Sequence, residues 1–116
     1  MTEQLSTLIV GNATNRPTHF DLIRQWAEAR NIIKGATPEK QFVKLMEEIG
    51  ELAEGIAKGR LPAIIDGIGD AVVVLTILAA QHDVSIEDCI GVAWHEIKDR
   101  KGEIRNGVFV KETDLV

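Results

Sequence analysis

The sequence predicts an all-α fold, a compact four-helix antiparallel bundle followed by a short C-terminal β-hairpin. Three observations predict it. Apolar residues recur at helical spacing in consecutive stretches, each opened by a capping or proline signal. The connections between those stretches are short, which favours antiparallel neighbours. Aromatic residues make up only 4% of the chain and Tyr is absent, which disfavours a β-sandwich or an aromatic base-stacking sheet.

Residues 1–16 read as an N-terminal arm, with Leu8-Ile9-Val10 as a short strand and Gly11-Asn12-Ala13-Thr14-Asn15 as loop. Thr18-x-x-Asp21 is a capping-box start, and Phe20, Ile23, Trp26, Ala27 and Ile33 suit one face of a first helix that Gly35 ends. Thr37-Pro38 pairs an N-cap with proline at the first helical position. The second helix then runs to about Lys58, with Gly59 as its stop. Its apolar residues Phe42, Leu45, Met46, Ile49, Leu52, Ala53 and Ile56 fall within an arc of about 120°. Pro62 starts a third helix that ends near His82. Ser85-x-x-Asp88 opens a fourth, reaching about Lys101. Arg105-Asn106-Gly107-Val108 is a hairpin-turn signal between Ile104 and Val108-Phe109-Val110. Residues 17–116 are expected to form one helical domain with this hairpin as its tail, large enough to bury a core.

Composition excludes several function classes. A net charge of −5 without an extended basic stripe argues against nucleic acid as a partner. The single Cys89 excludes an internal disulfide and a multi-cysteine zinc site. Met1 to Val10 lacks the basic start and long apolar stretch of a signal peptide. The uncharged run from Ala71 to Gln81 is shorter than the roughly 20 residues a bilayer span needs. The expectation is a soluble, cytoplasmic protein with no membrane partner.

Chemistry is concentrated in two acidic clusters, Glu47-Glu48-Ile49-Gly50-Glu51 and Asp66-Gly67-Ile68-Gly69-Asp70. Glu48 falls about 40° outside the apolar arc of the second helix, with Glu51 and Lys44 on the same side. Glu47 and Glu54 point further towards solvent. Asp66 and Asp70 are one turn apart on the third helix. The stretch Ala71 to Ala80 is apolar on every side, which marks a buried helix, so Asp70 projects from the mouth of the core. Carboxylates there are partly desolvated and need compensation. A divalent cation between two helices supplies it, and an all-oxygen set suits Mg²⁺ or Mn²⁺ rather than zinc. The plain alternative is a solvated acidic face, with Asp66 serving the helix dipole. Gly50, Gly55, Gly67 and Gly69 weigh against it, because each interior glycine costs about 0.8–1 kcal/mol relative to Ala and so implies close backbone approach or room for a ligand.

These residues resemble the motif of the MazG-like all-α nucleoside triphosphate pyrophosphohydrolases, E-x-x-E, a spacer, then E-x-x-D on two neighbouring helices. Lys44-Leu45-Met46-Glu47-Glu48-Ile49-Gly50-Glu51-Leu52-Ala53-Glu54 is similar to the first half, with Glu48 and Glu51 as its glutamates. Ile68-Gly69-Asp70-Ala71-Val72-Val73-Val74-Leu75 is similar to the second, with Asp70 as its aspartate. One position departs: the third glutamate falls at Gly67, and the neighbouring Asp66 is the substitute candidate. His95-Glu96-Ile97-Lys98-Asp99-Arg100-Lys101 resembles the basic end of the family's last helix, and Asn106 to Lys111 resembles the tail of small phage-type members. The resemblance spans roughly residues 17–112.

It implies Mg²⁺-dependent cleavage of a nucleoside triphosphate between the α and β phosphorus atoms, giving monophosphate and pyrophosphate. Glu48, Glu51 and Asp70 are then metal ligands, with Asp66 as a fourth, and Mn²⁺ an alternative ion. Glu47 and Glu48 are the candidates for catalytic roles, Glu47 either as base or as a residue supporting the ligands from behind. Lys98, Arg100 and Lys101 hold the phosphate tail, their alternative being a solvated helix end. Asn106 is a substrate contact or a turn residue. Trp26 and Trp94 stack on a base or serve core and interface. An all-apolar helix in so small a chain needs covering, and family members cover it by sharing a bundle, so a homodimer or dimer of dimers is expected. The rival readings are a catalytically inactive helical adaptor of the same fold, favoured by Gly67, and a pyrophosphohydrolase of another phosphorylated metabolite such as phosphoribosyl-ATP.

Overall fold

A computed structural model of the chain describes residues 16–115; the expected arm and the strand Leu8-Ile9-Val10 lie outside the described residues. By its contacts the chain divides into two units, one ending at Ile86 and the other starting at Glu87.

The first unit begins with α1 (His19–Ala29). Its N-terminus is a complete capping box: the Asp21 amide donates to Thr18 Oγ1 at 3.2 Å and the Thr18 amide donates to Asp21 Oδ2 at 2.8 Å. The helix expected to continue to Gly35 instead breaks at Asn31. That residue is left-handed, with φ 57°, and the amides of Arg30 and Asn31 close a tightened last turn on the carbonyls of Ala27 and Glu28. Asparagine tolerates this conformation better than most residues. A single turn, α2 (Ile32–Gly35), follows. Next come α3 (Pro38–Ala57), capped by Thr37 Oγ1, and α4 (Leu61–Gln81). Both match the expected bounds. Gly59, at φ 62°, makes the turn that lays α4 back along α3.

The central element of this unit is α4, on which α1, α2 and α3 all pack. Its inner side places Ala71 and Val74 against Leu45 of α3, and Thr76, fully buried, donates to the Val72 carbonyl at 2.7 Å. Gln81 Nε2 donates to the Ala36 carbonyl at 2.9 Å and ties the end of α4 to the α2–α3 connection. Of the stretch Ala71 to Ala80, expected to be buried on every side, Ala71, Val74, Thr76 and Ile77 are buried, Leu75 is exposed and the rest are half-buried. Nearer the start of α4, Leu61, Ile65 and Ile68 are exposed, because α1 to α3 cover only part of its circumference. At 21 residues α4 is long and apolar enough to cross a membrane by length and composition, longer than the Ala71–Gln81 run suggested. It carries Asp66 and Asp70 and packs on three helices.

The α3 helix is also turned differently from its apolar arc. Leu45, Glu48 and Gly55 are its buried residues, while Phe42, Met46, Ile49 and Ile56 are exposed. The buried line is rotated roughly 80° from the centre of the arc at 100° per residue. The reason is local: Gly55 lets α4 approach, and a Cβ at that position would lie 3.1 Å from Ala63 Cβ.

In the second unit α5 (Ile86–Ile97), which belongs to it from Glu87 on, leads to β1 (Gly102–Arg105) and β2 (Val108–Lys111). The strands pair antiparallel, Gly102 with Lys111 and Arg105 with Val108, across a two-residue turn in which Asn106 (φ 52°) and Gly107 (φ 80°) are both left-handed. The fourth helix was expected to reach about Lys101 but ends at Ile97, since the Arg100 amide turns back to the Ile97 carbonyl and strand pairing starts at Gly102. The described residues therefore hold five α-helices, the expected hairpin and a 3-10 turn at Glu112–Asp114.

Candidate functional site

The first acidic cluster lies on α3 and the second on α4, and the antiparallel packing of the two helices sets them side by side. Glu48 occupies the seam. It is only 6% exposed, its Oε2 lies 3.4 Å from Lys44 Nζ, and its Oε1 is buried without a hydrogen-bond partner. Native proteins rarely leave a buried carboxylate oxygen bare. Asp70, half-buried on α4, sits close enough that its protonated form can donate to Glu48. Its carboxyl is pushed above the ordinary value by burial first, then by the negative charges of Asp66 and Glu48.

The other acidic candidates surround this pair. Glu47 is exposed, 3.8 Å from Lys44 Nζ, and Glu51 is exposed but within electrostatic range of the same ammonium. Asp66 is exposed and acts on Asp70 through charge alone. In the side-chain conformations present, no three Asp, Glu, His or Cys residues among those described converge as a ready metal cage. The residues nonetheless suit a hard divalent cation: the donors are all oxygens, one is buried and bare, and a second carboxylate opposite it is destabilised as an anion.

Gly67, where the resemblance leads one to expect a glutamate, faces the other helix. A Cβ there would stand 2.9 Å from Leu52 Cβ and 3.1 Å from Leu52 Cα. Gly50 and Gly69 face open space, so of the four glycines the sequence singles out only Gly55 and Gly67 mark close approach.

On the α1 side of α4, His19, Leu22, Ile23, Trp26 and Val73 line an apolar cavity of about 550 Å³. Val73 stands one turn beyond Asp70. The Arg30 guanidinium lies 4.7 Å from the centre of the Trp26 ring. Sequence reasoning singled out Trp26 but not Leu22 or Val73. The residue it noticed and left without a role is Lys44, whose signal was its position one turn before Glu48.

The basic candidates belong to the second unit. Arg100 and Lys101 line a cavity of about 460 Å³ with Glu96, Asp99, Lys111, Glu112 and Thr113. Lys98 does not line it and pairs with Asp99 at 3.0 Å. These residues follow the helix rather than forming its last turn. Asn106 is the first residue of the hairpin turn, which accounts for its presence without a ligand.

Comparison with known proteins adds the following. The chain is 55% identical over 62 residues to an uncharacterized 18.2 kDa protein from the rep-hol intergenic region of Haemophilus phage HP1. That alignment covers 53% of this chain and 38% of the phage protein, so the chain matches well under half of that relative's length. No solved structure matches the chain. The family model of the MazG nucleotide pyrophosphohydrolase domain matches residues 36–104, which takes in both acidic clusters, α3, α4, α5 and all but the last residue of the first strand. With more than half of its length matched, the chain belongs to the MazG nucleotide pyrophosphohydrolase domain family.

Proposed function

We propose that this chain is a divalent-metal-dependent nucleoside triphosphate pyrophosphohydrolase, releasing pyrophosphate and a nucleoside monophosphate. The observation that carries the reading is Glu48: a carboxylate buried between two helices, one oxygen bare, with Asp70 across the seam. Glu48 and Asp70, with the exposed Glu51 and Asp66, would hold the metal, Mg²⁺ or Mn²⁺. Such an ion supplies positive charge to phosphate oxygens and acidifies water. Glu47, exposed and tied to one lysine, accepts the proton of the attacking water. The Trp26 cavity seats the base, since its lining is apolar and an indole offers a stacking face. Lys98, Arg100 and Lys101, in the second unit, are proposed as phosphate-binding cations on the family resemblance alone.

Self-association belongs to the same reading. Phe42, Met46, Ile49 and Ile56 form an exposed stripe on α3, and Leu61, Ile65, Ile68 and Leu75 form another on α4. Continuous apolar surface of this extent is covered in a soluble protein. A second copy, in a homodimer or dimer of dimers, covers it, and the assembly works in the cytoplasm.

The test is product analysis over a panel of ordinary and modified nucleoside triphosphates with Mg²⁺. Pyrophosphate with monophosphate is expected, and orthophosphate as the first product rules out α–β cleavage. A second reading, an inactive adaptor of the same fold, draws on Gly67, where helix packing takes the place of a carboxylate. Absence of turnover across the panel, together with no rise in melting temperature on adding Mg²⁺ or Mn²⁺, selects that reading.

A further inference from the structure

Two lysine–glutamate pairs, each with its members four residues apart, lie on α3 and its C-cap, and they are built differently. Glu54 precedes Lys58, the orientation that agrees with the helix dipole, and the pair closes at 2.7 Å. Lys44 precedes Glu48, the weaker orientation, and its Nζ stays 3.4 Å from Oε2, beyond the usual length of a charge-assisted hydrogen bond. Lys44 is half-exposed while Glu48 is buried, so the ammonium sits over the seam from the solvent side. It spreads its charge over several carboxylates: Glu47 lies 3.8 Å away, and Glu51 and Asp70 are within its field. Burial of Glu48 makes a nearby cation necessary in the metal-free protein. The looseness of the contact makes that cation removable.

We propose that Lys44 is a resident counter-ion that holds Glu48 in the metal-free protein and competes with the divalent cation for it. The inference rests on the metal-binding reading above and assigns a metal-antagonist role to a residue outside the ligand set. With the ammonium in place, a divalent ion binding Glu48 would meet a positive charge already beside that carboxylate. The lysine therefore raises the metal concentration at which the site fills, while it keeps the empty seam folded. Its long flexible stem lets the head swing to Glu47 and solvent without moving α3.

The experiment is calorimetric titration of the full chain with MnCl₂, without nucleotide, on the wild type, Lys44→Met and Lys44→Arg, paired with melting of the metal-free proteins. Lys44→Met is expected to bind Mn²⁺ about tenfold more tightly than the wild type and to melt at a lower temperature when metal-free. Lys44→Arg, which keeps the charge, is expected to bind within about twofold of the wild type. Equal Mn²⁺ affinity in wild type and Lys44→Met overturns the counter-ion role while leaving the metal site standing. Weaker binding in Lys44→Met also overturns it and makes the lysine a support of the site. No Mn²⁺ binding by either protein overturns both this inference and the metal-dependent reading. Should Lys44→Met fail to fold, Lys44→Gln answers the same question, with tighter binding expected and unchanged binding fatal.

Discussion

Gly67 of α4 lies so close to Leu52 of α3 that a Cβ on the glycine would stand 2.9 Å from the leucine Cβ, closer than side chains tolerate. The contact is made partly with backbone, since Leu52 Cα would be only 3.1 Å away. Gly67→Ala is therefore expected to destabilise the protein by about 1–3 kcal/mol, the usual range for overpacking. Gly67→Glu should be worse and should not improve metal binding, because the position points at α3. Gly69→Ala is the control: it faces open space in the same helix and should gain up to about 1 kcal/mol from helix propensity. Denaturant unfolding of the three variants decides the matter, and equal stabilities for Gly67→Ala and Gly69→Ala would dissolve the close-packing argument.

Glu48→Gln should lose pyrophosphate release while staying folded. The change removes a buried charge and leaves a neutral amide of the same shape, so metal-free stability should hold or rise slightly. Glu51→Gln, on an exposed residue, should also lose activity with no change in melting temperature. Assays of product beside thermal melts of the metal-free proteins check both, and full turnover by either variant strikes that residue from the ligand set.

Asp70 sets a pH dependence with a definite sign. Its native carboxyl is raised above the ordinary value of 3.8, by burial first and then by Asp66 and Glu48. Between 3.8 and the raised value the native state binds more protons than the unfolded one, so this residue lowers stability as pH rises through that window. Asp70→Asn is expected to melt above the metal-free wild type at neutral pH, and the gap should close as pH falls through the window. The same variant should lose any stabilisation by Mn²⁺. A gap that stays constant with pH would show that ionisation of Asp70 is not its source.

Asp21 behaves in the opposite sense. The Thr18 amide, Arg24 and the Thr18 hydroxyl, in that order, hold its carboxyl below the ordinary value. Its contribution is present above 3.8 and fades as pH falls through the lowered value. Asp21→Ala should lower the melting temperature at neutral pH by opening the capping box, and should match the wild type once the carboxyl is protonated. Melts at the two pH extremes test this.

Local chemistry written in the sequence determined much of this protein. Thr18 with Asp21, and Thr37 with Pro38, started helices where capping geometry requires, and Asn106-Gly107 set a two-residue hairpin because both positions take left-handed backbone. Both acidic clusters were also legible, since one-turn spacing alone puts Glu48 beside Glu51 and Asp66 beside Asp70. The break at Asn31 and the early end of α5 at Ile97 were not legible. The first rests on one left-handed residue inside a periodic apolar pattern, and the second on competition between helix and strand pairing at Gly102. Only the tertiary structure decided which side of α3 faces α4. The apolar arc pointed to Phe42, Met46 and Ile49, yet the close approach at Gly55 and Gly67 turned Leu45 and Glu48 inward. Helical periodicity reports the hydrophobic average of a face, whereas packing follows where two backbones can come closest. That difference buried Glu48, left one of its oxygens bare, and gave Lys44 a carboxylate to guard.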